Sequence, residues 1–288
     1  NFDDNSNPEL ENGPEHVFQI QFSANDGANG ANSNIGEMGN YSAAWGLTTL
    51  YTSWKQPSFN LVNAFKTDDN GLPTPDTYND VNMTNDANTG RYDYYTTYQG
   101  KVDPRLDWTV GRRGVPYLDW TGPGYPPPTY LTSNPGSDPT VGWVHNRVFG
   151  GPYINVKGMY RNNVNPSTYM AEHKYNENNA QWYIFSSAVN VSIIRFADVL
   201  LWAAECEVEA GSLERARELV NYIRNRAKTG RYVEVVYDDI GGYSASANYF
   251  IGLYNEPWVN KDNARKAVHF ERRLELALEG HRFFDLVR

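Results

Sequence analysis

Residues Glu271 to Arg288 read E-R-R-L-E-L-A-L-E-G-H-R-F-F-D-L-V-R. Apolar side chains at Phe270, Leu274, Ala277 and Leu278 recur at helical spacing, which predicts a helix from about Asn263 to Glu279. Gly280 stands where a left-handed residue would cap that helix, and a charged and aromatic run restarts behind it. Glu271, Arg272, Arg273, Glu275, Glu279, Arg282, Asp285 and Arg288 interleave their signs, and Glu275, Glu279 and Asp285 each have a base three residues away. That spacing favours ion pairing. Hydrolysis of a glycosidic bond would instead need two carboxyl groups facing an open cleft. The expectation for Arg195, Asp198, Glu271, Arg273 and Glu279 is therefore a structural ion-pair network, with no catalytic residue.

Outward from this stretch, the chain after Ser192 reads as helical. One helix is expected from about Ile193 to Glu209, broken at Ala210-Gly211. A second is expected from Ser212 as N-cap to about Ala227, with Leu213, Ala216, Leu219, Val220, Ile223 and Ala227 inward. A helix, a two-residue break and a returning helix make an αα-hairpin of tetratricopeptide type, although its consensus is only partly present. Trp202, among apolar neighbours, is expected in the core, as is Cys206, the only cysteine. The preceding part is different, because 15 of the 16 prolines lie before Ile193 and proline removes a donor and fixes φ. Loops, turns and short elements are expected there. His16 to Phe22 alternates like a half-buried strand, and Pro57 to Phe65 suits a short helix with Ser58 as N-cap. Residues 121 to 139, rich in proline, are expected to form an ordered surface loop.

The net charge of -9 opposes binding to a phosphate backbone, so nucleic acid is not an expected partner. Five histidines show no metal-ligand spacing, no G-x-S-x-G nucleophile turn occurs, and no apolar run is long enough to span a membrane. Thr67-Asp68-Asp69-Asn70-Gly71 has the oxygen density of a calcium loop without its alternate spacing or closing glutamate, and reads as a polar turn. No metal or cofactor is expected.

The stretch from Glu271 resembles the signature helix of the SusD/RagB family, in which E-R-R-x-E-L-x-x-E-G-x-R-x-x-D-L-x-R recurs. Ile194 to Ala227, beginning I-R-F-A-D-V-L-L and ending I-R-N-R-A, carries the same resemblance, as do P-S-F-N-L-V-N-A-F from Pro57 and D-P-R-L-D-W-T-V from Asp103. The resemblance implies a mainly α fold of tetratricopeptide-type helix pairs with long irregular loops and few short strands. It implies one domain over 1–288, with a loop-rich ligand-facing part (1–192) and a helical scaffold part (193–288). The family's lipoprotein leader and lipidated cysteine do not match Asn1-Phe2-Asp3-Asp4, and the chain stops inside the signature. The expectation is a carboxy-terminal portion of a longer protein, truncated at both ends. The implied function is capture of oligosaccharide or polysaccharide, without catalysis, on a SusC-like TonB-dependent transporter at the outer face of the outer membrane. Contact with the membrane would be only through a lipid anchor absent from this chain.

Eight Trp and 21 Tyr supply flat faces for the apolar side of a sugar ring. Trp108 directly follows the Asp103-Pro104-Arg105-Leu106 landmark and is assigned to packing. Trp45, Tyr51 and Trp54 sit where the family's ligand-contacting loops vary, and Tyr117 and Trp120 edge the proline-rich loop. These five are the candidate ligand-binding residues, with Asn40 and Asn60 as hydrogen-bonding neighbours. Two alternatives stay open: a glycoside hydrolase, suggested by an acidic, Trp-rich composition, and a SusD-like binder of peptides.

Overall fold

The computed structural model describes residues 13–23, 56–89, 94–117, 151–158, 190–237 and 242–287. Within them the fold is mainly helical with a few short strands. In chain order come β1 (His16–Ile20), α1 (Phe59–Ala64), α2 (Arg105–Thr109), β2 (Val110–Gly111), β3 (Ile154–Asn155) and β4 (Val191–Arg195). Then follow α3 (Phe196–Ala210), α4 (Leu213–Thr229), β5 (Glu234–Tyr237), β6 (Gly242–Ala245), α5 (Lys261–Glu275) and α6 (Arg282–Val287).

The expected hairpin forms. Ser212 caps α4 by accepting the Arg215 amide at 3.3 Å, and Gly211 closes α3. Ala197, Leu201, Ala204 and Val208 of α3 meet Ala216, Leu219, Val220 and Ile223 of α4, with Ala264 and Val268 of α5 completing this core. The opposite side of α5 builds a second core, where Phe270, Leu274 and Ala277 pack on Val62 and Phe65 of α1 and its end, Leu106 of α2, Val110 and Tyr153. The helix is thus clamped between two apolar layers, and every residue from 270 to 277 is buried. Ser58 caps α1 as expected, accepting the Leu61 amide at 3.2 Å.

Several boundaries differ from the sequence reading. The first hairpin helix starts at Phe196 because Val191-Ser192-Ile193-Ile194, with three β-branched residues in four, extends as β4 antiparallel to β1. Strand β1 does not bury one face: Val17, Phe18 and Ile20 are 56%, 57% and 46% exposed. Its register with β4 breaks twice, and β4 is its only strand partner among the described residues, so alternation meets no second layer. Helix α5 ends at Glu275 instead of Glu279. The Glu275 carbonyl, which another helical turn would use, accepts from Lys157 Nζ at 2.7 Å and Arg195 at 3.1 Å. The chain then turns through Leu278 (φ 64°) and Gly280 (φ 88°). Trp202 and Cys206 are exposed, a correction to their core assignment, because they fall on the α3 face turned away from α4 and α5. No helix among the described residues is long and apolar enough to cross a membrane.

Candidate functional site

Three carboxylates, Glu271, Glu275 and Glu279, follow one another at four-residue intervals along α5 and the turn after it. Helical spacing would pair Glu275 with Arg272 and Glu279 with Arg282, and offers Glu271 no cation. The fold brings them cations from elsewhere. Glu271, fully buried, accepts from Arg105 on one oxygen at 2.6 Å and from Arg224 on the other at 2.9 Å. Glu275 accepts from Arg105 and Arg195, each at 3.1 Å, and from Arg226. Glu279 accepts from Lys157 at 2.6 Å and from Arg195 at 2.7 and 2.8 Å. Asp103 completes the cluster through a two-oxygen contact with Arg105 at 3.0 and 2.7 Å.

Electrostatics follow from burial and proximity. Burial alone would raise the Glu275 carboxyl, but Arg226, Arg195, Arg105 and Lys157 outweigh it and hold the group well below the usual carboxylate range. Glu279, also opposed by burial, is lowered by Lys157 and Arg195, and Asp103 by Arg105. Burial draws the Lys157 ammonium below its ordinary value despite Glu279 beside it. These acids are held ionised, and a group fixed as a carboxylate donates no proton at neutral pH. The neighbouring arginines behave differently. Arg272 binds Asp198 at 2.6 Å, whereas Arg273 meets no acid among the described residues and contacts the Tyr78 hydroxyl at 2.6 Å and the Asn60 carbonyl at 2.9 Å, lying 4.7 Å from the Tyr78 ring centroid. Arg273 is thus a correction within the expected network, and Asn60 is bound into the scaffold through Arg273 and Tyr78.

Beside the cluster lies a cavity of about 480 Å³, between α2 and the last turn of α4. Trp108, Arg105, Arg226, Ala227, Glu15 and Glu275 are among the residues lining it. Trp108 is half-buried, and its indole N–H donates to the Arg231 carbonyl at 2.9 Å, which fixes the ring. Sequence reading assigned Trp108 to packing. It stands one helical turn from Arg105.

Of the five aromatics expected at the ligand, Trp45, Tyr51, Trp54 and Trp120 lie outside the described residues, as does Asn40. Tyr117 does not present a platform. It is fully buried, and its hydroxyl donates to the Asn155 carbonyl at 2.8 Å across the β2–β3 pair. A Cβ on Gly111 would stand 2.9 Å from the Tyr117 ring, so the missing side chain makes room for it. The Asp68 turn is a polar turn: one carboxylate oxygen accepts the Asn70 and Leu72 amides, both at 2.8 Å.

Comparison with known proteins agrees with this architecture. The chain is 31% identical over 104 residues to SusD-like protein P25 of Formosa agariphila, covering 36% of this chain and 16% of that protein. It is 32% identical over 99 residues to SusD-like protein P38 of the same organism, covering 34% and 17%. A SusD-like protein from Bacteroides fragilis has a similar fold, with TM-score 0.52 and 19% identity over 97% of this chain. The chain spans 44% of that structure's length, so it corresponds to less than half of it. One family model, the SusD family, matches residues 14–288, nearly the whole chain, and the chain therefore belongs to the SusD family.

Proposed function

We propose that this chain is part of a cell-surface glycan-binding protein that captures oligosaccharides without cleaving them and hands them to a SusC-like TonB-dependent transporter. In this reading the protein is held at the outer face of the outer membrane by a lipid anchor. The helical part, from about residue 193, is the scaffold, and the loop-rich part carries recognition through Trp45, Trp54, Tyr51 and Trp120. Family membership over residues 14–288 carries the proposal.

The charge cluster supports binding over hydrolysis. A glycosidase needs one carboxylic acid with a raised pKa, standing across a cleft from a second carboxylate. Glu275 and Glu279 are shifted the other way by arginine and lysine neighbours. The decisive experiment screens the full-length protein on a glycan array and in affinity gels, alongside a peptide panel, and assays the retained sugars for product release. Retention of glycan with no shortened product is the expected result. Release of oligosaccharide products, or binding confined to peptides, would overturn the proposal.

A further inference from the structure

We infer that the Trp108 cavity is a second saccharide subsite, which takes one neutral sugar ring. The inference rests on the reading of this protein as a saccharide binder, and it assigns a place on the scaffold instead of the variable loops.

A volume of about 480 Å³ lies within the range of small-ligand pockets. One wall is the Trp108 ring, immobilised because its N–H is committed to the Arg231 carbonyl. Donor capacity thus plays no part in what the ring offers, which is its apolar face, and an ordered aromatic face costs little entropy to use. The lining charges are matched to acids on or behind the wall: Arg105 and Arg195 against Glu275, and Lys157 against Glu279, with Glu271 and Asp103 behind them. A charged ligand would have to displace one of those partners. A ring of hydroxyls need not, because a hydroxyl both donates and accepts and can join existing contacts at their exposed edges.

Two side chains supply such edges. Arg226 keeps 43% of its side-chain surface exposed while bonded to Glu15 and Glu275, and Glu15 keeps 23%. Both line the cavity with Trp108. A stacking face beside a partly exposed guanidinium and a less exposed carboxylate matches a pyranose, whose C–H face is apolar and whose rim is polar. Among the described tryptophans, Trp258 packs edge-on against Tyr254 in the α3–α5 core and Trp202 stands on an exposed helix face. Trp108 alone of these lines the cavity.

The test uses the full-length protein labelled with 5-fluorotryptophan, the Trp108 ¹⁹F signal being assigned by Trp108→Phe. The probes are neutral hexasaccharides of β-1,4-glucan, β-1,3-glucan, α-1,4-glucan, β-1,4-mannan and β-1,4-xylan, with oligogalacturonate as the charged control. We expect at least one neutral probe to shift the Trp108 signal saturably, and oligogalacturonate to leave it unmoved. Ala227→Phe places a ring in the cavity without removing any ion pair, and should abolish that shift while the thermal transition is retained. Should a probe bind but move only other tryptophan signals, with Ala227→Phe binding as well as wild type, the subsite is refuted and glycan capture stands. A panel that binds nowhere while peptides do would remove both. A full-length crystal structure with the cavity filled by the protein's own chain would also refute the subsite.

Discussion

Glu271 shows how much one buried side chain can organise. Its two oxygens bridge Arg105 on α2 and Arg224 on α4, and Arg224 in turn donates to the Gly252 carbonyl at 2.8 Å and the Gly71 carbonyl at 2.7 Å. Replacing Glu271 by Gln keeps the shape but leaves the fully buried Arg224 guanidinium without its acidic partner, while Arg105 keeps Asp103 and Glu275. Breaking a buried pair in this way costs about 3 to 5 kcal/mol. Chemical denaturation of Glu271→Gln should show that loss, and an unchanged midpoint with abolished glycan binding would point to a functional role for Glu271 instead. Gly71 is sensitive for a different reason. It has φ 74°, and a Cβ there would stand 2.3 Å from the Gly252 amide nitrogen. Strain at such positions costs about 1 to 3 kcal/mol, so Gly71→Ala should melt earlier by at least that equivalent.

At the scale of elements, α3 and α5 divide the work of burial. Leu201 is fully buried between α3, α4 and α5, whereas its neighbour Leu200 is only partly covered. Leu201→Asp would place an unpaired carboxylate in that core and should cost more than about 4 kcal/mol, enough to abolish the cooperative helical transition in circular dichroism. Leu200→Asp should remain folded under the same conditions, since its carboxylate can reach water. Helix α5 is long on charge, and it and the turn after it are still buried from residue 270 to 277. Its periodic apolar residues announce a helix. They do not announce that the polar positions between them also face protein, because that depends on elements as distant in sequence as α2.

For the whole molecule, the cluster predicts how stability follows pH. Glu275, Glu279 and Asp103 have folded-state values below their ordinary ones, set against burial by the surrounding cations. Below the unfolded values the unfolded chain therefore binds more protons than the folded one, and stability rises with pH. The contribution is complete above about pH 4.5, the ordinary glutamate value, and is lost as pH falls through the depressed folded values. Thermal melts should be nearly level from pH 5 to 7 in this contribution and fall steeply below pH 4. Because these pairs are buried, raising the salt concentration at pH 7 should move the transition little. A large salt effect would show that exposed pairs such as Glu209 with Arg265 carry the stability instead. Glycan binding should respond separately. Stacking that buries roughly 60 to 100 Å² contributes about 1.5 to 2.5 kcal/mol at ~25 cal/mol/Å². Trp54→Ala should weaken binding by that amount in titration calorimetry, with the melting transition unmoved.

What the sequence determined by itself was local: the helix pair with its break at Gly211 and cap at Ser212, the Ser58 cap, the helix carrying Glu271, and the polar turn at Asp68. Each rests on periodicity or on hydrogen bonds between residues a few positions apart, which one stretch of chain contains in full. The family signature was legible for the same reason, as it is written in contiguous strings. Tertiary structure alone decided the partners and the exposures. Glu271 pairs with Arg105, 166 residues away, and the helix after it stops at Glu275 because Lys157, 118 residues away, takes its carbonyl. The β1 strand alternates like a buried one but finds no second layer among the described residues, the Tyr117 ring lies where a Cβ on Gly111 would crowd it, and Trp108 borders a cavity formed between α2 and α4. Burial and charge pairing are set by what the fold brings from far along the chain, and local periodicity does not record that distance.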